Sequence, residues 1–500
     1  MLLICMMLVA SQGTASSIAT SAELYPGVDL SQPEEITMYH TGNDLADWEK
    51  VKTRVNELLK EKINTTVNFV HISFADFIQN YTLYCTSTDI DILYTANFVN
   101  YADNARAGAY KEITEEFLST YMPQTLANMA PAAWNEVKVG GKIWTVPRNY
   151  SEIGIPAIVV TSQTLLDKYS FEANEMKNWE DLKSFLYAVA EGEKDTGMYA
   201  INCQGFWPSH QYYMLGKYNL ASIGSSNNGI WYMWDAKNET FSVDDIEWFG
   251  NTEAFKAWAL EMAEYYQKGV YPSNVIANES TLDDTFAAGT SAINFGEPSK
   301  IIALLNSNPD LVPLFLTAND SYRTTRGTYM RYGNSFPIGS TKTERAAVAL
   351  DMMLNDPEIN MLLVYGFEGD HYILNDDGTY SLGPHAEAYA TDTNIFSMQN
   401  NRNPILKIDN EAISAWRDKA YAQINENFTA AGFNYDSSKY EAEVAVINSL
   451  WNQYQWSLCF GLYGDATESI VDQFIMEAKA AGIDKIEEDF KQQLSAYLGI

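Results

Sequence analysis

The 500-residue sequence is poor in cysteine, histidine and basic residues. Its cysteines (Cys5, Cys85, Cys203 and Cys459) are widely spaced, and this spacing matches neither a disulfide framework nor a zinc site. Lys and Arg total 32 against 65 Asp and Glu, which gives a formal charge of −33. Binding to nucleic acid or to an anionic membrane depends on clustered cationic side chains. The composition therefore argues against both partners and favours a soluble, acidic protein.

Long apolar runs are missing after the first few residues. Met1–Val9 is apolar and a small, polar run to Ser17 follows, which resembles the hydrophobic and cleavage regions of a secretory signal. A run of nine residues is too short to span a bilayer. No positive region precedes it, and no lipoprotein-type cysteine ends it. We therefore expect residues 1–17 to be a signal-like segment with a truncated start, and an extracellular protein, secreted or at the cell surface, without an evident lipid anchor.

Signatures of catalysis are also missing. The sequence contains no Gly-x-Ser-x-Gly elbow, no His-Glu-x-x-His motif and no phosphate-binding glycine loop. The five histidines are scattered, so we predict neither a metal site nor a cofactor. A secreted carbohydrate-active enzyme needs only two suitably placed carboxyl groups, and 65 acidic residues leave that alternative open.

Strands and helices alternate near the start of the chain. Ile36–Tyr39, Val67–Ile72 and Ile90–Tyr94 have the pattern of strands, with helical periodicity between them. This order predicts a parallel sheet with right-handed crossovers. Such sheets bind ligands beyond the carboxyl ends of their strands. The loops at 40–44 and 95–101 are therefore candidates, through the polar side chains Asn43, Asp44 and Asn97.

Two later stretches combine aromatic and polar residues. Between Cys203 and Trp234 the chain is dense in aromatic and amide side chains, which suit the flat faces and hydroxyl edges of sugars. Trp207 and Trp231 are our candidates for stacking, although a packed core would explain the same residues. The stretch Thr285–Pro298 has the pattern of a short strand, which would place Glu297 in a cleft between two lobes.

Several stretches in a fixed order together resemble one family. They are ITMYHTGNDLADWEKVKTRVNELLKEKIN at 36–64, IDILYTANFVNYADNARAGAYKEIT at 90–114, GKIWTVPRNY at 141–150, and the stretches 285–298, 341–380, 432–454 and 477–498. This series resembles the carbohydrate-type solute-binding proteins of Gram-positive ABC importers, in the larger lipoprotein-like branch. The resemblance implies an α/β, two-lobed periplasmic-binding-protein-like fold with three hinge crossings and extra C-terminal helices.

The resemblance also sets expectations for domains and function. We expect residues 33–146 plus 295–335 in the first lobe, 147–294 plus 336–460 in the second, and C-terminal helices at 461–500. Crossings are predicted near Val146–Tyr150, Phe295–Pro298 and Tyr332–Phe336. The implied function is the capture of a mono- or oligosaccharide by a monomer that delivers it to a membrane permease, and a peptide or another small solute remains an alternative ligand. The predicted ligand-binding residues are Asn43, Asp44, Asn97, Arg148, Tyr150, Trp207, Trp231, Glu297 and Asn334.

Overall fold

The structure, a computed structural model, describes most of the chain. The described residues are 21–42, 45–151, 153, 158–203, 214–227, 229–277, 280–296, 298–316, 322–389 and 396–500. They form a first lobe around a five-stranded sheet and a second lobe that contains two three-stranded sheets. Within these ranges, no helix combines the length and the hydropathy that crossing a bilayer requires.

Strands are short in both lobes, and helices dominate the last third of the chain. The strands of the described ranges are β1 (Glu34–Thr41), β2 (Thr65–Ile72), β3 (Ile92–Thr95), β4 (Lys138–Val139), β5 (Lys142–Ile143), β6 (Val146–Pro147), β7 (Ile158–Ser162), β8 (Leu220–Asn227), β9 (Ile230–Asp235), β10 (Glu247–Trp248), β11 (Ile293–Gly296), β12 (Leu311–Leu314), β13 (Gly333–Ser335), β14 (Tyr372–Leu374) and β15 (Tyr380–Leu382). The α-helices are α1 (Ser21–Leu24), α2 (Trp48–Ile63), α3 (Phe74–Thr86), α4 (Tyr101–Arg106), α5 (Glu115–Tyr121), α6 (Pro123–Asn128), α7 (Pro131–Glu136), α8 (Gln163–Tyr169), α9 (Trp179–Gly192), α10 (Glu253–Gln267), α11 (Leu282–Ala287), α12 (Pro298–Ser307), α13 (Thr343–Asn355), α14 (Pro357–Tyr365), α15 (Glu411–Ala422), α16 (Glu441–Cys459), α17 (Thr467–Ala480) and α18 (Ile483–Leu498).

The sheet of the first lobe has the strand order β2-β1-β3-β13-β6. β1 runs parallel to β2 and β3, and helices α2 and α3 connect these strands, which confirms the parallel arrangement predicted for this region. α2 forms because Val51, Val55 and Leu58 recur at spacings of three and four and face the core. It ends at Asn64, whose φ of 50° is left-handed. β13 runs antiparallel to β3 and β6.

Helices α13 and α14 complete the core of the first lobe. Every residue of α13 from Arg345 to Asn355 is buried, and the helix packs against α2, α5 and α6. A helix buried around its whole circumference needs neighbours on all sides, and the first lobe supplies them. The prediction that residues 336–460 lie in the second lobe is therefore wrong for Phe336–Tyr389 and for Met398, which contribute to the first-lobe core.

The second lobe contains an antiparallel sheet with β7 between β11 and β12, and a second sheet of β8, β9 and β10. Helices α16, α17 and α18 pack into its core. Phe490 of α18 stacks on Tyr232 of β9 with ring centroids 3.8 Å apart. The helices predicted for residues 461–500 are thus part of the second-lobe core.

The expectation that residues 295–335 join the first sheet is wrong for most of that stretch. Ile293 pairs with Thr161 and Leu311 pairs with Ser162, so β11 and β12 both flank β7 in the second lobe. Ile293 and Phe295 alternate along β11 and both enter the second-lobe core. Helix α12 then returns the chain to the same sheet, and the crossing predicted near Phe295–Pro298 does not occur there.

In the part of the chain that the structure describes, three connections between the lobes can be followed. The first leads from β6 to β7, the second from β12 to β13, and the third from the 3₁₀ turn Phe396–Met398 to α15. The predicted third crossing, Tyr332–Phe336, holds only for Tyr332, which ends the second segment, because Gly333–Ser335 forms β13 and Phe336 is buried in the first-lobe core.

Asp351, in the middle of α13, provides a test of this packing. Its carboxylate accepts hydrogen bonds from the Tyr25 hydroxyl at 2.9 Å and from the Thr125 N–H at 2.7 Å, and burial raises its pKa. Asp351→Ala should lower the free energy of unfolding by about 3 kcal/mol, because both donors stay buried without an acceptor. Urea denaturation followed by circular dichroism measures this change. The exposed Asp89→Ala is the control, and equal urea midpoints for the two variants would contradict the prediction.

Candidate functional site

The crossing segments lie side by side next to the carboxyl ends of β1, β3 and β6. Asn149 forms a parallel bridge with Asn400, and the N–H of Asn401 donates to the Asn149 carbonyl at 2.9 Å. The Ser151 hydroxyl donates to the carbonyl of Gly327 at 2.7 Å. The hinge between the lobes therefore meets the sheet edge where a parallel sheet offers a ligand site.

Arg148 joins these segments through its side chain. Its guanidinium carbon lies 4.5 Å from the ring centroid of Tyr332 and 5.2 Å from that of Tyr150. Nη1 donates to Oε1 of Gln399 at 2.7 Å, and the backbone N–H of Arg148 donates to the Tyr332 carbonyl at 3.0 Å. The side chain is fully buried, so its charge does not face the cleft in this conformation. Its contacts with both rings orient the two tyrosines.

Asn334, in β13, carries unused hydrogen-bonding capacity. Its Oδ1 accepts a hydrogen bond from the Ser397 hydroxyl at 3.0 Å. Its Nδ2 and the hydroxyl of its cross-strand neighbour Tyr94 are buried, and neither has a partner among the residues that the structure describes. A buried donor without an acceptor costs free energy. Both groups are therefore suited to a bound water or to a ligand hydroxyl.

Aromatic faces line the same edge. Phe98, Tyr150 and Tyr332 are half-buried, and the rings of Phe98 and Tyr332 meet edge to face at 6.2 Å. Asn97, also half-buried, opens the 3₁₀ turn Asn97–Val99 that follows β3. Strand β8 of the second lobe lies against this turn, so Asn97 sits where the two lobes meet. Aromatic faces beside amides and hydroxyls can stack on a sugar ring and bond its hydroxyls.

Trp231 does not line the cleft. It lies in the second-lobe core, with its ring 5.1 Å from that of Phe249 and 5.6 Å from that of Trp451. Trp234, which belongs to the same aromatic stretch between Cys203 and Trp234, is fully buried as well. The prediction of Trp231 as a stacking platform is wrong, because helices and strand residues cover both faces of β9 and leave its side chains from Ile230 to Trp234 buried.

The structure brings together only part of the predicted set. Asn97, Arg148, Tyr150 and Asn334 are gathered at the hinge edge of the first sheet. The other four predicted residues lie outside the described residues: Asn43, Asp44, Trp207 and Glu297.

Five residues of this edge were not predicted as site residues, among them Tyr94, which ends the strand predicted at Ile90–Tyr94. Phe98 had a usable signal, because it lies in the candidate loop after β3, and Tyr332 had one, because it directly precedes β13. No feature of the sequence indicated that Ser397 and Gln399 belong to the site. They reach the site from the third crossing segment, whose path no periodicity in the sequence indicated.

Asp47, Asp370 and His371 place atoms of metal-ligand type within 4.8 Å of one another. Hydrogen bonds account for this arrangement. The N–H of Phe367 donates to Nδ1 of His371 at 3.0 Å, so the imidazole proton is on Nε2, which donates to Oδ2 of Asp47 at 3.2 Å. A histidine that binds a cation through Nε2 needs that nitrogen unprotonated. These residues therefore act as a network that ties the start of α2 to the turn before β14.

Comparison with known proteins supports the fold. Residues 429–499 match the family model "Domain of unknown function (DUF3502)". No curated protein matches the chain. Among solved structures, an N-glycan transport solute binding protein (NgtS) from Streptococcus pneumoniae is 18% identical with a TM-score of 0.69, over 93% of this chain and 99% of that chain.

Two further solved structures show the same likeness. The alginate-binding protein AlgQ2 is 14% identical with a TM-score of 0.65, over 93% of this chain and 98% of that chain. The S. pneumoniae ABC-transporter substrate binding protein FusA is 13% identical with a TM-score of 0.61, over 94% of this chain and 99% of that chain. The chain therefore has the two-lobed α/β fold of these solute-binding proteins, which confirms the fold that the sequence resemblance implied.

His40, at the end of β1, gives the site edge a testable dependence on pH. Burial lowers the pKa of its imidazole to about 3, so the unfolded chain takes up this proton first and stability is lost as the pH falls below about 6.5. His40→Phe keeps a ring against Trp48 and Phe69 but cannot be protonated. Between pH 6.5 and 4.5, the wild-type free energy of unfolding should fall by about 2–3 kcal/mol more than that of the variant, measured by urea titration. Identical pH dependence of both proteins would refute this.

Proposed function

We propose that this protein is the extracellular substrate-binding component of an ABC importer and captures a mono- or oligosaccharide in the cleft between its lobes. One observation carries the proposal: half-buried aromatic faces lie beside buried amide and hydroxyl groups at the sheet edge where the crossing segments meet. This combination suits a ligand with both apolar faces and many hydroxyls.

The similar structures support a glycan as the ligand class. The N-glycan transport protein was solved in complex with Man1GlcNAc, and FusA in complex with fructo-nystose. AlgQ2 is described as alginate-binding. We propose that the chain described here binds a ligand of this class without turning it over, acts as a monomer outside the cell, and delivers the ligand to a membrane permease.

Each residue of the cleft has a proposed role. Asn97 and Asn334 would bond sugar hydroxyls, and Tyr150 and Tyr332 would stack on ring faces. Arg148 would act through these two tyrosines. Asn43, Asp44, Trp207 and Glu297 remain proposed contacts.

Capture would follow from closure of the lobes. A ligand held between them makes contacts with both only in the closed arrangement. It therefore binds that arrangement more tightly and shifts the population toward it. The differential affinity for the closed arrangement, and not the affinity for one lobe, sets the size of that shift.

Tyr332→Ala tests the aromatic platform. Loss of the ring removes a stacking face and one side of the Arg148 enclosure, so affinity for the captured sugar should fall on the order of tenfold, or about 1.4 kcal/mol. Isothermal titration calorimetry measures this change. Trp456→Ala removes an exposed aromatic residue of α16 and is the matched control. Unchanged affinity in Tyr332→Ala, with native circular dichroism, would show that the platform is misassigned.

The function itself is tested by a binding screen. The purified protein is titrated with mannose–N-acetylglucosamine, fructo- and alginate oligosaccharides and with short peptides, and each mixture is analysed chromatographically. We expect saturable one-site binding to at least one glycan with no product. Binding to peptides alone would overturn the carbohydrate assignment, and release of shorter sugars would instead establish an enzyme.

A further inference from the structure

The C-terminal unit, defined here as residues 429–499, is anchored in the second lobe. Phe490 stacks on Tyr232, and the backbone N–H of Trp248 donates to Oε2 of Glu487 at 2.9 Å. Phe433 and Tyr435 are buried in the same core. The unit therefore moves with the second lobe when the lobes move relative to one another.

The same unit touches the first lobe at Gly432. A Cβ on this residue would lie 2.1 Å from Cγ and 2.5 Å from Cβ of Glu136, in α7. These atoms are close to the α7 backbone, so they could not move away as the tip of a long side chain could. Asn434 adds a long contact, with Nδ2 3.5 Å from the Glu136 carbonyl. The two lobes approach here as closely as a glycine allows.

Glu136 is itself held in place by the first lobe. Its Oε2 accepts hydrogen bonds from the Thr328 hydroxyl and from the Tyr329 N–H, both at 2.8 Å. Thr328 and Tyr329 lie in the second crossing segment, a few residues before β13. The surface that meets Gly432 is therefore tied to the hinge.

A charged contact adds to this approach. Nε of Arg106, at the end of α4, lies 3.1 Å from Oδ2 of Asp436, while Nη1 of Arg106 lies 2.7 Å from Oδ1 of Asp103. Arg106 and Asp103 belong to the first lobe, and Asp436 belongs to the C-terminal unit. One guanidinium thus bridges carboxylates of both lobes.

We propose that residues 432–436 of the C-terminal unit form an interlobe clasp on α4 and α7 that sets the balance between open and closed lobes. The clasp has a steric part, Gly432 against Glu136, and an ionic part, Arg106 with Asp436. None of its residues belongs to the aromatic and amide edge described above, so clasp variants leave the proposed ligand contacts unaltered. Its effect on ligand affinity rests on the proposed function, whereas its effect on lobe arrangement does not.

Small-angle X-ray scattering of the ligand-free protein tests the clasp directly. Gly432→Val should push the unit away from α7, and Asp436→Arg should replace attraction to Arg106 by repulsion. Both variants should increase the radius of gyration relative to wild type. Asp472→Asn is the matched control, because Asp472 pairs with Lys256 at 3.3 Å inside the second lobe.

A charge swap separates the clasp from general damage to the unit. Arg106→Glu combined with Asp436→Arg restores an opposite pair and should return the scattering curve toward wild type, with circular dichroism confirming folded variants. Scattering of Gly432→Val and Asp436→Arg identical to that of Asp472→Asn would overturn the proposal, as would failure of the swap to rescue Asp436→Arg.

The affinity of the same variants then reports on the ligand. With mannose–N-acetylglucosamine as the probe, the two clasp variants should bind about threefold to tenfold more weakly than wild type, because fewer molecules are in the closed arrangement. If wild type binds none of the glycans of the screen while the scattering changes are present, the proposed ligand class fails and the clasp stands. Weaker binding without any change in scattering would overturn the clasp.

Discussion

The site depends on one buried cation held between two aromatic rings. A guanidinium stays charged in a protein, and removing it from water is costly unless other groups replace its hydration. Arg148 meets this constraint with the rings of Tyr150 and Tyr332 and with the side-chain amide oxygen of Gln399, one group from each crossing segment. These contacts hold the three segments together at this point, so the closure proposed above would occur further along them.

This constraint would make the sheet edge a rigid half of the proposed ligand site. The first lobe fixes its aromatic and polar groups through β3, β13 and Arg148. The second lobe is stiffened separately by its tryptophan-rich core and by the C-terminal unit, whose residues 432–436 reach back to α4 and α7. When a ligand binds between two rigid lobes, little of its binding free energy is spent on rearrangement within each lobe. Most of it then favours the closed arrangement of the lobes.

The sequence predicted most of what local pattern controls. The alternation of β1, α2, β2, α3 and β3 and the helices after residue 440 follow from apolar periodicity, and so does the position of Asn97 directly beyond a strand end. It did not predict which lobe each later element joins. β11 is apolar and short enough to suit either sheet, and its pairing with β7 is decided by long-range packing that periodicity does not report. The prediction that Trp231 stacks on a ligand failed for a related reason, because composition cannot distinguish aromatic residues of a core from aromatic residues that face a ligand.

A crystal structure of the protein with a glycan from the binding screen tests the central claim most directly. The account predicts the sugar between the two lobes, with a ring against Phe98, Tyr150 or Tyr332 and hydroxyls bonded to Asn97 or Asn334. A glycan bound on an outer surface, with the hinge edge of the first sheet empty, would contradict it.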